Sequence, residues 1–114
     1  MEQIIKNIAG GEVFSLAGQV DYQPGQIVSK TLAQNAHRSL TLFAFEKGEE
    51  ISTHESDGDA LVVVLDGEGL ITIGDREYPL CGGGAIVMPA KTPHAVYAKE
   101  RFKMFLIVVF PENR

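Results

Sequence analysis

The chain has one cysteine, so no intramolecular disulfide can staple it. Beside Gly82-Gly83-Gly84, Cys81 reads as a small buried hydrophobe rather than a nucleophile. Long apolar runs are missing as well. The longest, Ala60 to Leu65 and Phe102 to Phe110 (broken by Lys103), fall well short of the roughly 20 residues a membrane helix needs. The start, Met1-Glu2-Gln3-Ile4-Ile5-Lys6, lacks the long apolar stretch of a secretory signal, so we expect a cytoplasmic protein. Positive charge is scarce. Ten Lys and Arg stand against 15 Asp and Glu, for a net charge of −5, and the basic residues are scattered singly. With no basic stripe to neutralise phosphates and no apolar span, neither nucleic acid nor a membrane is an expected partner. Room for helix is also short: only residues 1–20 offer any, and Gly10-Gly11 and Gly18 cut that segment into weak pieces.

What is present is strand signal. At 114 residues, 45% of them apolar and 22% charged, the chain has the size and composition of one soluble globular domain spanning residues 1–114. Short runs of Val, Ile, Leu and Phe alternate with Gly, Pro, Asp and Asn, which punctuate strands. The runs predict nine strands: Gln26 to Leu32, Ser39 to Phe45, Ile51 to His54, Ala60 to Leu65, Gly69 to Ile73, Glu77 to Leu80, Ala85 to Met88, His94 to Ala98 and Phe102 to Phe110. Asp66-Gly67 and Gly74-Asp75 each offer positive-φ positions for a tight turn, which predicts two successive hairpins and an antiparallel sheet. Gly82 to Gly84 reads as a flexible turn, since no helix follows that would make it a phosphate loop. So hydrophobic a sheet must hide its edges, and closing into a barrel or double-sheet jelly roll does so. The fold class is all-β.

Two stretches carry a resemblance. Gly48, His54, Glu55, Ser56, Ala60 and Gly67 stand at the spacing of the first cupin motif. Gly83, Pro89, His94 and Ala98 stand at that of the second. Between them, Gly69 to Gly74 and Tyr78 to Leu80 look like the hairpin and return strand that join the motifs in cupins. The chain thus resembles the cupin superfamily, and more narrowly its small single-domain bacterial members of unassigned function. The resemblance implies an antiparallel double-stranded β-helix with a core barrel over about 39–110 and amino-terminal strands before it. Cupins of this size are commonly dimers. That implies a homodimer, with a segment such as Gln26 to Leu32 adding itself to a partner's sheet edge.

The resemblance also implies where chemistry would sit. Metal-binding cupins converge three His and one Glu on an ion, and here His54 and His94 occupy two of those positions while Ser56 and Ala60 occupy the others. Two imidazoles alone hold metal weakly, so a tight site requires a recruited third ligand. Asp59 and His37 are the candidates. Asp59 is out of phase with Ala60 but follows Gly58, where a bend would swing its carboxylate inward. His37 precedes its strand, which leaves its direction open: it reads as a surface residue, and it joins the site only by capping the barrel opening, while Glu55 and Asp57 read as solvated loop residues. A weakly bound divalent transition metal is the one cofactor this pattern leaves open.

Taking the inward phase from the resemblance, His54, Ser56, Ala60, Val62, His94, Val96 and Ala98 line the predicted pocket. Phe43, Phe45, Met88, Met104 and Phe110 read as core filling. Ser56 is a natural hydrogen-bond partner for the imidazoles. Three functions follow. The first is binding of a small molecule in the cavity. The second is an isomerase, lyase or dioxygenase that is metal-dependent or uses His54 and His94 as acid and base. The third is a structural role with the pocket idle.

Overall fold

A computed structural model describes residues 3–113. Met1, Glu2 and Arg114 lie outside the described residues, and with them the first two positions of the amino-terminal reading. A single 3-10 turn, Ala17–Gln19, precedes eight strands: β1 (Ile27–Gln34), β2 (Arg38–Phe45), β3 (Glu50–His54), β4 (Asp59–Ile73), β5 (Arg76–Cys81), β6 (Ala85–Met88), β7 (His94–Tyr97) and β8 (Phe102–Val109). All their pairings are antiparallel. The strands curl in the order β1-β2-β8-β4-β7-β3, with β5 and β6 also paired to β4. Among the described residues no helix is long and apolar enough to cross a membrane.

Strand β4 makes this architecture a jelly roll, and it corrects one expectation. Ala60 to Leu65 and Gly69 to Ile73 are not the arms of a hairpin. They form one 15-residue strand. Its first half pairs with β8 and β6, its second half with β5 and β7, so the strand passes from one sheet into the other. The passage is made by a register shift between Val64 and Asp66 and by Gly67 at φ +75°. A bulge of this kind bends a strand without ending it. Across it the inward phase changes from Ala60, Val62 and Val64 to Ile71. A side chain at Gly67 would strike the Arg101 carbonyl oxygen. Gly74-Asp75 does form the expected hairpin loop, with Gly74 at φ +61° and Ile73 opposite Arg76, as in a type II′ turn.

The inner faces of both sheets share a core that includes Phe45, Val62, Val64, Ile71, Ala98, Phe102 and Met104. Phe45 and Phe102 stack at 4.7 Å and close one end of the barrel. On the outer face, Leu32, Leu42 and Ala44 are covered by the amino-terminal segment through Ile8, Leu16, Val20 and Tyr22. Tyr22 anchors that segment. Its hydroxyl donates to Asp66, and the Arg101 guanidinium lies 4.5 Å from its ring centroid. Nearby, Lys103 donates to the Ala17 carbonyl. Cys81 is exposed at the end of β5, contrary to its reading as buried, because it enters the Gly82-Gly83-Gly84 turn rather than the core.

Candidate functional site

At the end of the barrel opposite the Phe45–Phe102 stack lies a cavity of about 630 Å³. Its wall is mainly apolar, built from Phe43, Ile51, Met88, Val96, Met104, Leu106, Val108 and Phe110, with Gln34, Asn35, Ser39 and Ser56 at its polar margin. Among the described residues no Asp, Glu, Lys or Arg lines it. Of the residues expected in the pocket, His54, Ser56, Ala60, His94 and Val96 are in its wall. Val62 and Ala98 are not; both are fully buried in the core beyond it. Phe43, Met88, Met104 and Phe110, read as core filling, turn out to line the cavity as well. The alternation that placed Val96 inward applies equally to β2 and β8, and carried along Met104, Leu106 and Val108 it would have found them.

His54 and His94 are direct cross-strand partners on β3 and β7. Neighbouring strands bring such pairs within contact on one face. His94 is inward two residues before Val96 on a regular strand. His54 follows inward-facing Ile51 by three residues, an odd step that would turn it outward. A register shift between Ile51 and His54 adds the residue that restores the phase. His94 is 3% exposed, whereas His54 stands at the open margin.

The two rings meet edge to face, with centroids 4.3 Å apart and Nε2 3.2 Å from Nε2. The Nδ1–H of His54 donates to the Ser52 carbonyl at 3.0 Å, and that of His94 to the Thr92 carbonyl at 3.1 Å. A carbonyl only accepts, so each ring carries its proton on Nδ1 and turns Nε2 toward the other. Burial pushes the His94 pKa below its ordinary value. The Thr92 carbonyl opposes that shift, nearby His54 adds to it, and Glu55 opposes it. The expected Ser56 partner is not the one used, since the Ser56 hydroxyl accepts the Gly58 N–H at 3.1 Å.

Neither expected third ligand joins the pair. Asp59 alternates outward from Ala60, and its Oδ1 accepts the Ala90 N–H at 2.8 Å. His37 is exposed in a separate hollow with Arg38, Val109, Phe110 and Glu112; the neighbouring Asn35 and Ala36 border the cavity instead. Among the described residues no group of three or more His, Cys, Asp and Glu converges on a point. Nor does any buried side-chain nitrogen or oxygen there lack a hydrogen-bond partner. Two imidazoles without a third donor do not fit a tightly held metal ion.

A two-sheet antiparallel jelly roll with a histidine-bearing cavity at one end defines the class. The chain belongs to the cupin family: the model described as "Cupin domain" matches residues 41–110. It is similar to the crystal structure of a conserved protein of unknown function from Streptococcus pyogenes, at 43% identity over 97% of both chains and a TM-score of 0.96. It is also similar to a cupin superfamily protein from Desulfitobacterium hafniense, at 34% identity over 94% of this chain and 98% of the other, with a TM-score of 0.89. A cupin 2 conserved barrel domain protein from Leptotrichia buccalis shares 46% identity over 84% of this chain, at a TM-score of 0.83. The match spans 47% of that longer chain. No protein of curated function matches.

Proposed function

We propose that this cupin binds a small molecule in its barrel cavity, with His54 and His94 as the polar contact. One observation carries the reading: an apolar space of about 630 Å³ whose titratable lining is this one convergent imidazole pair. Sites for small ligands have this composition, with apolar walls for area and a few placed polar groups for orientation. A thermal-shift screen of sugars, organic acids and divalent ions tests it. We expect at least one organic compound to raise the melting temperature, and His54→Ala with His94→Ala to abolish that response. If the double substitution leaves every response unchanged, the pair is not the contact and the reading fails.

Acid–base catalysis is the second reading, favoured by the position of the pair. Its Nε2 atoms are turned away from main-chain partners, and burial keeps His94 available as a neutral base. Exchange of solvent deuterium into a bound carbon acid, lost in His94→Gln, would support it.

We also propose a homodimer. β1 is an edge strand; the amino-terminal segment takes two of its carbonyls, with the Lys6 N–H donating to Leu32 and the Asn7 amide to Thr31, and the rest of the edge gives a partner strand backbone groups to meet. Light scattering on the eluting protein should give twice the chain mass. A monomer at all concentrations would contradict it.

A further inference from the structure

A row of opposed residues crosses the sheet formed by β1, β2, β8, the first half of β4 and β6. Gln34 stands opposite Ser39, Ser39 opposite Val108, Val108 opposite Ala60 and Ala60 opposite Met88. Opposed residues share a face, and all five line the cavity. His54 and His94 belong to the other sheet. The row is apolar at β8, β4 and β6 and polar at β1 and β2. Gln34 reaches this face only through an irregularity. Thr31, opposite Thr41, is in the inward phase of Phe43, and Gln34 follows it by three residues, an odd step that would turn it outward. The register shift between Thr31 and Ala33 restores the phase. Asn35 fixes the tip of the hairpin, its Oδ1 accepting the N–H groups of His37 and Arg38 at 2.8 and 3.0 Å, while the His37 carbonyl accepts the Phe110 N–H at 2.9 Å. Among the described residues the side chains of Gln34 and Ser39 have no hydrogen-bond partner, so each keeps both a donor and an acceptor for a molecule in the cavity. The charged residues nearby, Lys6, Arg38 and Glu112, line other hollows.

We propose that Gln34 and Ser39 form a second polar contact in the cavity. It selects a ligand whose end remote from the imidazoles is an uncharged group that both donates and accepts, a carboxamide or a hydroxyl. This rests on the cavity being a binding site with His54 and His94 as its other contact. A primary carboxamide meets the Gln34 side chain with one hydrogen bond in each direction. A carboxylate only accepts, which sets the Gln34 carbonyl against a negative oxygen; an ammonium only donates, which sets the Gln34 amide hydrogens against a positive group. Neither ion finds an opposite charge on this rim, and leaving water without one is costly.

Three probes that share a phenol for the imidazole pair and differ at the other end test this by calorimetry on the full chain: 3-(4-hydroxyphenyl)propanamide, 3-(4-hydroxyphenyl)propanoate and 3-(4-hydroxyphenyl)propylammonium. The amide should bind about tenfold or more tighter than either ion. Gln34→Leu should remove that lead, and Ser39→Ala should reduce it about threefold. Gln34→Glu should make the ammonium the tightest of the three, an exchange of preference that a merely structural role for Gln34 would not produce. Gln34 is exposed, so its variants should keep the melting temperature of the parent chain. Binding of either ion to the parent chain as tightly as the amide overturns the proposal and leaves the cavity reading standing, as does an amide lead that survives Gln34→Leu. No binding of any probe overturns both.

Discussion

Asp59 holds the loop that delivers His94. Its carboxylate accepts the Ala90 N–H while the Ser56 carbonyl accepts the N–H of Lys91 at 2.7 Å. The two bonds tie the segment after His54 to the segment before His94, and Lys91 keeps the left-handed φ of +60° that this turn requires. Asp59→Ala removes one charge-assisted bond and should cost about 1–2 kcal/mol, read as a lower urea midpoint. Asp59→Asn keeps an acceptor and should recover most of that loss. Equal losses for Ala and Asn would show that the hydrogen bond is not what Asp59 contributes. At this scale the sequence is partly legible. Alternation placed Ala60, His94 and Val96 inward, since a regular strand turns every second residue the same way. It placed Asp59 one step out of phase, which is where it lies. The use of its carboxylate depended on an N–H 31 residues away, and no local pattern encodes that meeting.

Strand irregularities decide what reaches the cavity, and they are the least legible elements. In β3 the extra residue between Ile51 and His54 turns the imidazole inward; in β4 the bend at Gly67 carries the strand from one sheet to the other. Asp66-Gly67 looked like a hairpin turn because a bulge and a tight turn both call for a residue at positive φ, and only pairing with β8 separates them. Gly67→Ala combines a left-handed φ with collision against the Arg101 carbonyl and should cost about 3 kcal/mol or more. Gly74→Ala, at φ +61° with open space around it, should cost about 1 kcal/mol. Similar melting temperatures for the two would contradict the close approach at Gly67. The amino-terminal segment makes a pH-dependent contribution through Tyr22. Burial and the Asp66 bond raise the pKa of its phenol above the ordinary 10.0. Above pH 10 the unfolded chain releases this proton before the folded chain does. The stabilisation is therefore complete below pH 10 and is lost as pH climbs through the folded value. Tyr22→Phe should flatten the fall in stability above pH 10. An unchanged alkaline profile would show that the Asp66 contact does not hold the proton.

For the whole molecule, the fold was legible because its evidence is distributed. Short apolar runs, turn residues and two motif spacings all point to one antiparallel jelly roll, and the match over residues 41–110 agrees. The cavity was less so. It is an open end of the barrel, and its walls come from Phe43, Met88, Met104 and Phe110, side chains that are equally good core fillers. The chain keeps the cupin barrel and two inherited imidazoles. Ser56 and Ala60 stand where the metal-binding pattern has its other donors, and among the described residues no third His, Cys, Asp or Glu joins the pair. The most direct test is a high-resolution crystal structure of protein purified without a histidine tag and grown with the organic compound that raises its melting temperature most. The account predicts ligand density in the cavity, its head beside His54 and His94, and no ion bonded to both Nε2 atoms. An ion at roughly 2.0–2.1 Å from both nitrogens, held by a further protein ligand, would contradict it.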